Sequence, residues 1–185
     1  MGGAMFLRFK DVIILGLAFP AVAFAGETTW YDVSTELGWP QQGVQLTGYG
    51  GRLGASRTLF GPFRLAGDAT FLVLSPHPYG KYLRVHMLPQ PVVMVTALLG
   101  PEIAVIHGDS GPFVQEQLGL AYLDWGSLGP RVNDASGEPR PVAALTAGIR
   151  RIPGIGINPR ATFRETLFLD GRRPRVTSVS LGLNF

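Results

Sequence analysis

The last ten residues, Val176-Thr177-Ser178-Val179-Ser180-Leu181-Gly182-Leu183-Asn184-Phe185, decide the fold. Thr177, Val179, Leu181, Leu183 and Phe185 share one face, while Ser178, Ser180, Gly182 and Asn184 share the other. A period of two means an extended strand with one greasy and one polar side. Working back along the chain, the same kind of segment recurs. The predicted strands are Trp30–Trp39, Gly43–Ala55, Pro62–Leu74, Val92–Val105, Pro112–Trp125, Pro141–Ile152, Ile157–Leu169 and Arg175–Phe185. Each has at least the length that a tilted strand needs to cross a bilayer, about 9 to 11 residues. Eight is an even number, as single-chain bacterial barrels require.

Alternation is clean in the first, third, fourth and last segments. Tyr31, Val33, Leu37 and Trp39 oppose Asp32, Ser34, Glu36 and Gly38; Phe63, Leu65, Phe71 and Val73 oppose Arg64, Ala66, Asp68 and Thr70. In the second segment the apolar parity changes between Leu46 and Leu53, which predicts a bulge at Gly50-Gly51. Glu116 and Glu165 fall on the greasy faces of the fifth and seventh segments, a costly position at mid-depth and a tolerable one near an interface. Connections alternate in length. On the outer side 75–91 and 126–140 are long, 40–42 is short to medium and 170–174 medium, while 56–61, 106–111 and 153–156 on the other side are short. Short turns on the side of the termini and long loops opposite are the barrel rule.

The terminal segment resembles the closing strand of bacterial outer-membrane proteins. Ala147-Gly148-Ile149-Arg150 and Arg160-Ala161-Thr162-Phe163-Arg164 are similar to the penultimate strands of small OmpA-like and OmpX-like barrels. The resemblance implies an all-β, eight-stranded, antiparallel up-and-down transmembrane barrel. It also implies that Val179, Leu181, Leu183 and Phe185 serve as the signal read by the barrel-assembly machinery.

The start of the chain fits export. Arg8 and Lys10 precede an apolar run over Val12–Phe24, and Ala23-Phe24-Ala25 has the small-x-small form of a cleavage site. Residues 1–25 are therefore expected to be a signal peptide, and 26–185 an outer-membrane barrel. Cysteine is absent, so no disulfide framework holds the exported chain together. The formal charge of +3 falls to +2 without Arg8, Lys10 and Asp11, too small an excess to point to nucleic acid.

Nine charges fall on the predicted inner faces: Asp32, Glu36, Arg52, Arg64, Asp68, Glu102, Arg150, Arg160 and Arg164. An eight-stranded barrel is just wide enough for side chains to fill. Those charges must pair or stay hydrated. The pattern is open between a lumen plugged by ion pairs and a narrow, porin-like ion path. Trp30, Tyr31, Trp39, Phe63, Tyr122, Trp125, Phe168 and Phe185 are predicted to form girdles at the membrane interfaces.

Other chemistry finds little support. His77, His86 and His107 lack the spacing of a metal site. Ser75 and His77 supply the nucleophile and base of a lipid A-modifying enzyme only in part, and Pro76 and Pro78 hold that stretch extended. Gly108-Asp109-Ser110-Gly111 reads as a turn. No cofactor is expected. The expected partners are outer-membrane lipid and lipopolysaccharide, the latter through Arg172, Arg173 and Arg175, since guanidinium groups bind phosphate in bidentate fashion. A monomer with a structural or surface-interaction role through its outer loops is the leading expectation. A narrow channel, a lipid A-modifying enzyme and a soluble lipocalin-like binding barrel are the alternatives.

Overall fold

A computed structural model describes residues 29–40, 46–76, 92–105, 110–124, 139–150, 158–170 and 175–185. The predicted signal peptide, the three histidines, Asp109, Trp125, Arg172 and Arg173 lie outside them. The strands are β1 (Thr29–Pro40), β2 (Leu46–Phe60), β3 (Phe63–Pro76), β4 (Val92–Ala104), β5 (Gly111–Asp124), β6 (Pro139–Arg150), β7 (Pro159–Phe168) and β8 (Arg175–Asn184). Each pairs antiparallel with its neighbours in sequence, and β8 closes on β1 to complete a barrel. Closure removes every sheet edge, so each strand's backbone groups find partners without water. The predicted first strand is therefore part of the wall.

The start of β1 and the end of β8 sit at one end. Tyr31 and Phe185 exchange backbone hydrogen bonds of 3.2 and 2.8 Å there. This is called the terminal end below, and the other the loop end.

The strands are staggered. From Thr29 the partners run to Arg57, Leu65 and Pro101. Glu116 stands level with Pro101, between the pairs Leu99–Leu118 and Glu102–Gln115. From Glu116 the line continues through Leu145, Glu165 and Thr177 and meets β1 again at Trp39. A ladder that starts at the terminal end of β1 thus returns near its loop end, as the strand tilt of a closed barrel demands.

Polarity is inside out. Leu118 is 65% exposed and Leu181 68%, whereas Arg52 is 1% exposed and Glu102 is fully buried. That is the reverse of what a lipocalin-like binding barrel needs. Exposed aromatics mark both ends of the outer wall: Tyr31, Phe60, Phe63 and Phe185 near the termini, and Trp39, Tyr49 and Phe71 towards the loops.

Two expectations need correction. The register of β2 runs unbroken through Gly50 and Gly51 against both neighbours, and shifts instead between Thr58 and Phe60. The glycines carry no side chain that must choose a face, so the change in apolar parity there needs no bulge. The strand then reaches Phe60, and Gly61, with φ of 53°, turns the chain with Pro62 into β3. Phe168 is only 4% exposed and points into the barrel rather than into a girdle.

Candidate functional site

The lumen is layered, and the layers follow from which inward positions each strand fills. Close to the terminal end lie two ionic groups of the same form. The Asp32 carboxylate accepts from Arg160 Nη1 at 2.5 Å and lies 3.5 Å from Arg52 Nη2. The Glu102 carboxylate accepts from Arg150 Nη2 and, at 2.6 Å, from Gln115 Nε2, with Arg64 Nε 3.9 Å away. Each carboxylate therefore stands between two guanidinium groups.

Arg150 and Arg160 are direct cross-strand partners, a repulsive pairing on its own. Phe113 relieves it. Its ring centroid is 4.4 Å from the Arg150 guanidinium carbon and 4.8 Å from that of Arg160, so its π face receives both cations. A Cβ on Gly148 would collide with this ring, and one on Gly54 with the Asp32 carboxylate. The absent side chains make room for the network.

Midway along the barrel Arg164 organises a second network. It donates to both oxygens of Asp68, at 2.9 and 2.5 Å, the bidentate geometry that distinguishes arginine from lysine. It also donates to Thr146 Oγ1 at 3.0 Å, Thr70 Oγ1 at 3.2 Å and Gln117 Oε1 at 3.3 Å. Glu36 accepts from Ser178 Oγ and, at 3.4 Å, from Thr70 Oγ1. Arg52 Nη1 donates to Thr162 Oγ1, itself 2.5 Å from Ser180 Oγ.

Towards the loop end the lumen turns apolar. Leu72, Leu74, Met94, Leu98, Leu123, Val142, Phe168 and Val176 pack into one buried cluster with Ala121 and Ala144. Leu74 comes late in β3, Leu123 late in β5 and Phe168 at the end of β7, while Val142 and Val176 come early in their strands. All these positions lie near the loop connections. A polar base is thus covered by a greasy cap.

All nine inner charges anticipated from the sequence are buried here, and they divide into three clusters around Asp32, Glu102 and Asp68 with Glu36. The hydroxyl and amide partners, Phe113 and the cap were not anticipated. Gln115 and Gln117 carry a usable signal, since they alternate with Glu116 and Leu118. Val179 faces outward half-buried, and Leu181, Leu183 and Phe185 are exposed on the outer wall. Arg175 is exposed at the loop end of β8 and donates to Glu165 Oε1 at 3.2 Å.

No protein-family model matches the chain, and no curated protein does. Solved structures do. Neisserial surface protein A matches with a TM-score of 0.59 and 12% identity, over 85% of this chain and 96% of that one. Ail, the attachment invasion locus protein of Yersinia pestis, matches with a TM-score of 0.53 and 11% identity, over 85% and 97%. A transmembrane β-barrel designed de novo matches with a TM-score of 0.52 and 12% identity, over 86% and 98%. At such identities the likeness is one of fold: the chain is built as the small eight-stranded outer-membrane barrels are. The designed barrel marks the limit of that likeness, since the same architecture exists without an evolved role.

Proposed function

We propose, from the fold shared with small outer-membrane barrels, that this is an exported, non-enzymatic protein of the bacterial outer membrane. In this reading residues 1–25 are cleaved after Ala25, and residues 26–185 insert as a monomer with both termini in the periplasm. The barrel is a closed post. Its outer connections, the long segments 77–91 and 125–138 above all, meet partners at the cell surface. Neighbouring structures support a surface role: one is a surface protein, and another is described as an attachment invasion locus protein.

The observation that carries this reading is the lining of the lumen. Ion pairs occupy its base and aliphatic side chains its cap. A hydrated ion would have to break both, and leaving one partner of a buried pair uncompensated costs about 3–5 kcal/mol. Purified protein in a planar bilayer should give no sustained conductance. Fractionated cells should hold it in the outer membrane. Steady, large openings would replace this reading with a channel, and recovery from the soluble periplasm would end it.

During biogenesis Val179, Leu181, Leu183 and Phe185 present the closing strand to the barrel-assembly machinery. Deleting Phe185 should lower the amount of inserted protein while leaving its synthesis unchanged. Arg172, Arg173 and Arg175 supply phosphate-binding groups for lipopolysaccharide at the loop end. Reversing all three to Glu should reduce the lipopolysaccharide that co-purifies, and an unchanged yield would remove this contact.

A further inference from the structure

Glu116 and Glu165 stand on the outer wall either side of Leu145, their common cross-strand neighbour. Glu165 has Arg175 as its ion-pair partner. Glu116 is exposed, and among the described residues the outward arginines are Arg57 and Arg175, each near a strand end. Glu116 is also the halfway station on the staggered ladder from Thr29 to Trp39, so it sits at mid-height of the wall.

Between the two carboxylates lies a groove of about 470 Å³. Ala143 forms part of its floor, with Leu118, Leu145 and Leu167 around it. The small side chain of Ala143, set between its cross-strand neighbours Leu118 and Leu167, leaves the space open. The pairing of β4 with β5 passes over Gly100 and Pro101 beside it, and Pro101 has no N–H to give that ladder. The volume is within the range of small-molecule sites.

An ionisable group at mid-membrane calls for a counter-charge. Lipid headgroups carry theirs at the interfaces, so they do not reach Glu116. A second copy of the chain docked about a twofold axis through Ala143 would set Glu116 against Glu165, whose Arg175 counter-charge is already engaged. The remaining complement is a positive charge carried to mid-depth on an apolar body.

We infer that this groove binds a hydrophobic amine, a cationic amphiphile dissolved in the membrane, with its ammonium on Glu116 and its hydrocarbon on Ala143 and the three leucines. The inference rests on the membrane-spanning reading above.

The test uses full-length mature protein in phosphatidylcholine nanodiscs at neutral pH, with labelled dodecylamine as the probe and equilibrium dialysis as the readout. Insertion is checked separately by the mobility of unheated protein on a gel. Saturable binding is expected above that of empty discs, with dodecanol and dodecanoate binding no better than to empty discs. Glu116→Gln should weaken amine binding about tenfold or more, the loss of one charge-assisted contact. Ala143→Phe, which fills the groove, should weaken it as much. Protein that inserts normally yet binds no amine above empty discs overturns the site. So does equal binding by Glu116→Gln, equal uptake of dodecanol, or self-association through this face in place of amine binding. A failure of insertion itself would overturn the membrane reading instead.

Discussion

Arg164 shows how a buried charge is made tolerable in so narrow a space. Its three nitrogens reach Asp68, Thr146, Thr70 and Gln117, so little of its desolvation goes uncompensated. Arg164→Ala should destabilise the barrel by about 3–5 kcal/mol, because it strands the Asp68 carboxylate. The double variant Arg164→Met/Asp68→Leu should recover much of that loss, since apolar replacement of a whole buried pair is often neutral. Equilibrium unfolding of the three proteins in lipid vesicles measures both. A double variant no more stable than Arg164→Ala would mean that the pair does more than satisfy itself. The nine charges were legible in the sequence because each interrupts an apolar alternation. Their neutral partners were not. A Thr or Gln on an inner face looks the same whether it binds an arginine or merely fills space.

At the scale of the strand, alternation carried the reading where both faces differ in chemistry. β8 and β1 were placed almost to the residue for that reason. It faltered where both faces are alike. Phe71-Leu72-Val73-Leu74 is apolar throughout, so there the faces follow only from the parity of Arg64 to Thr70, which the closed barrel bears out by turning Leu72 and Leu74 inward. The loss of alternation near one end of β3 was itself the sign of a greasy cap. Glycine had the opposite effect in β2, where a lack of side chains imitated a bulge. The outer face of β8 offers a direct check on which side meets lipid. Leu181→Arg should cost about 2–4 kcal/mol, the penalty for a cation facing the bilayer midplane. The same change at Leu183, nearer the terminal end, should cost less. Unfolding from vesicles reads the difference, and equal costs at the two positions would contradict the assigned depth.

For the molecule as a whole, closure makes the wall cooperative: no strand can leave without exposing two rows of backbone groups to hydrocarbon. Unheated protein should therefore migrate apart from boiled protein on a gel. Trypsin offers a finer test. In the folded protein Arg52, Arg64, Arg150, Arg160 and Arg164 face inward and are buried, and cleavage after them should appear only once urea has opened the barrel. Mass spectrometry of the fragments decides it, and a cut after any of the five in folded protein would place that residue outside the wall.

The division of the lumen into ionic base and aliphatic cap has a bearing on how the chain enters a membrane. In the orientation proposed above, a nascent barrel threads in from its terminal end and sends the loop ends of its hairpins forward. The inward side chains on that advancing front are Leu72, Leu74, Met94, Leu123, Val142 and Phe168. The arginines and carboxylates travel in the rear and need to penetrate only part of the hydrocarbon before their counter-ions meet across the closing pore. Vectorial insertion is thereby made easier by where each layer was written along the strands.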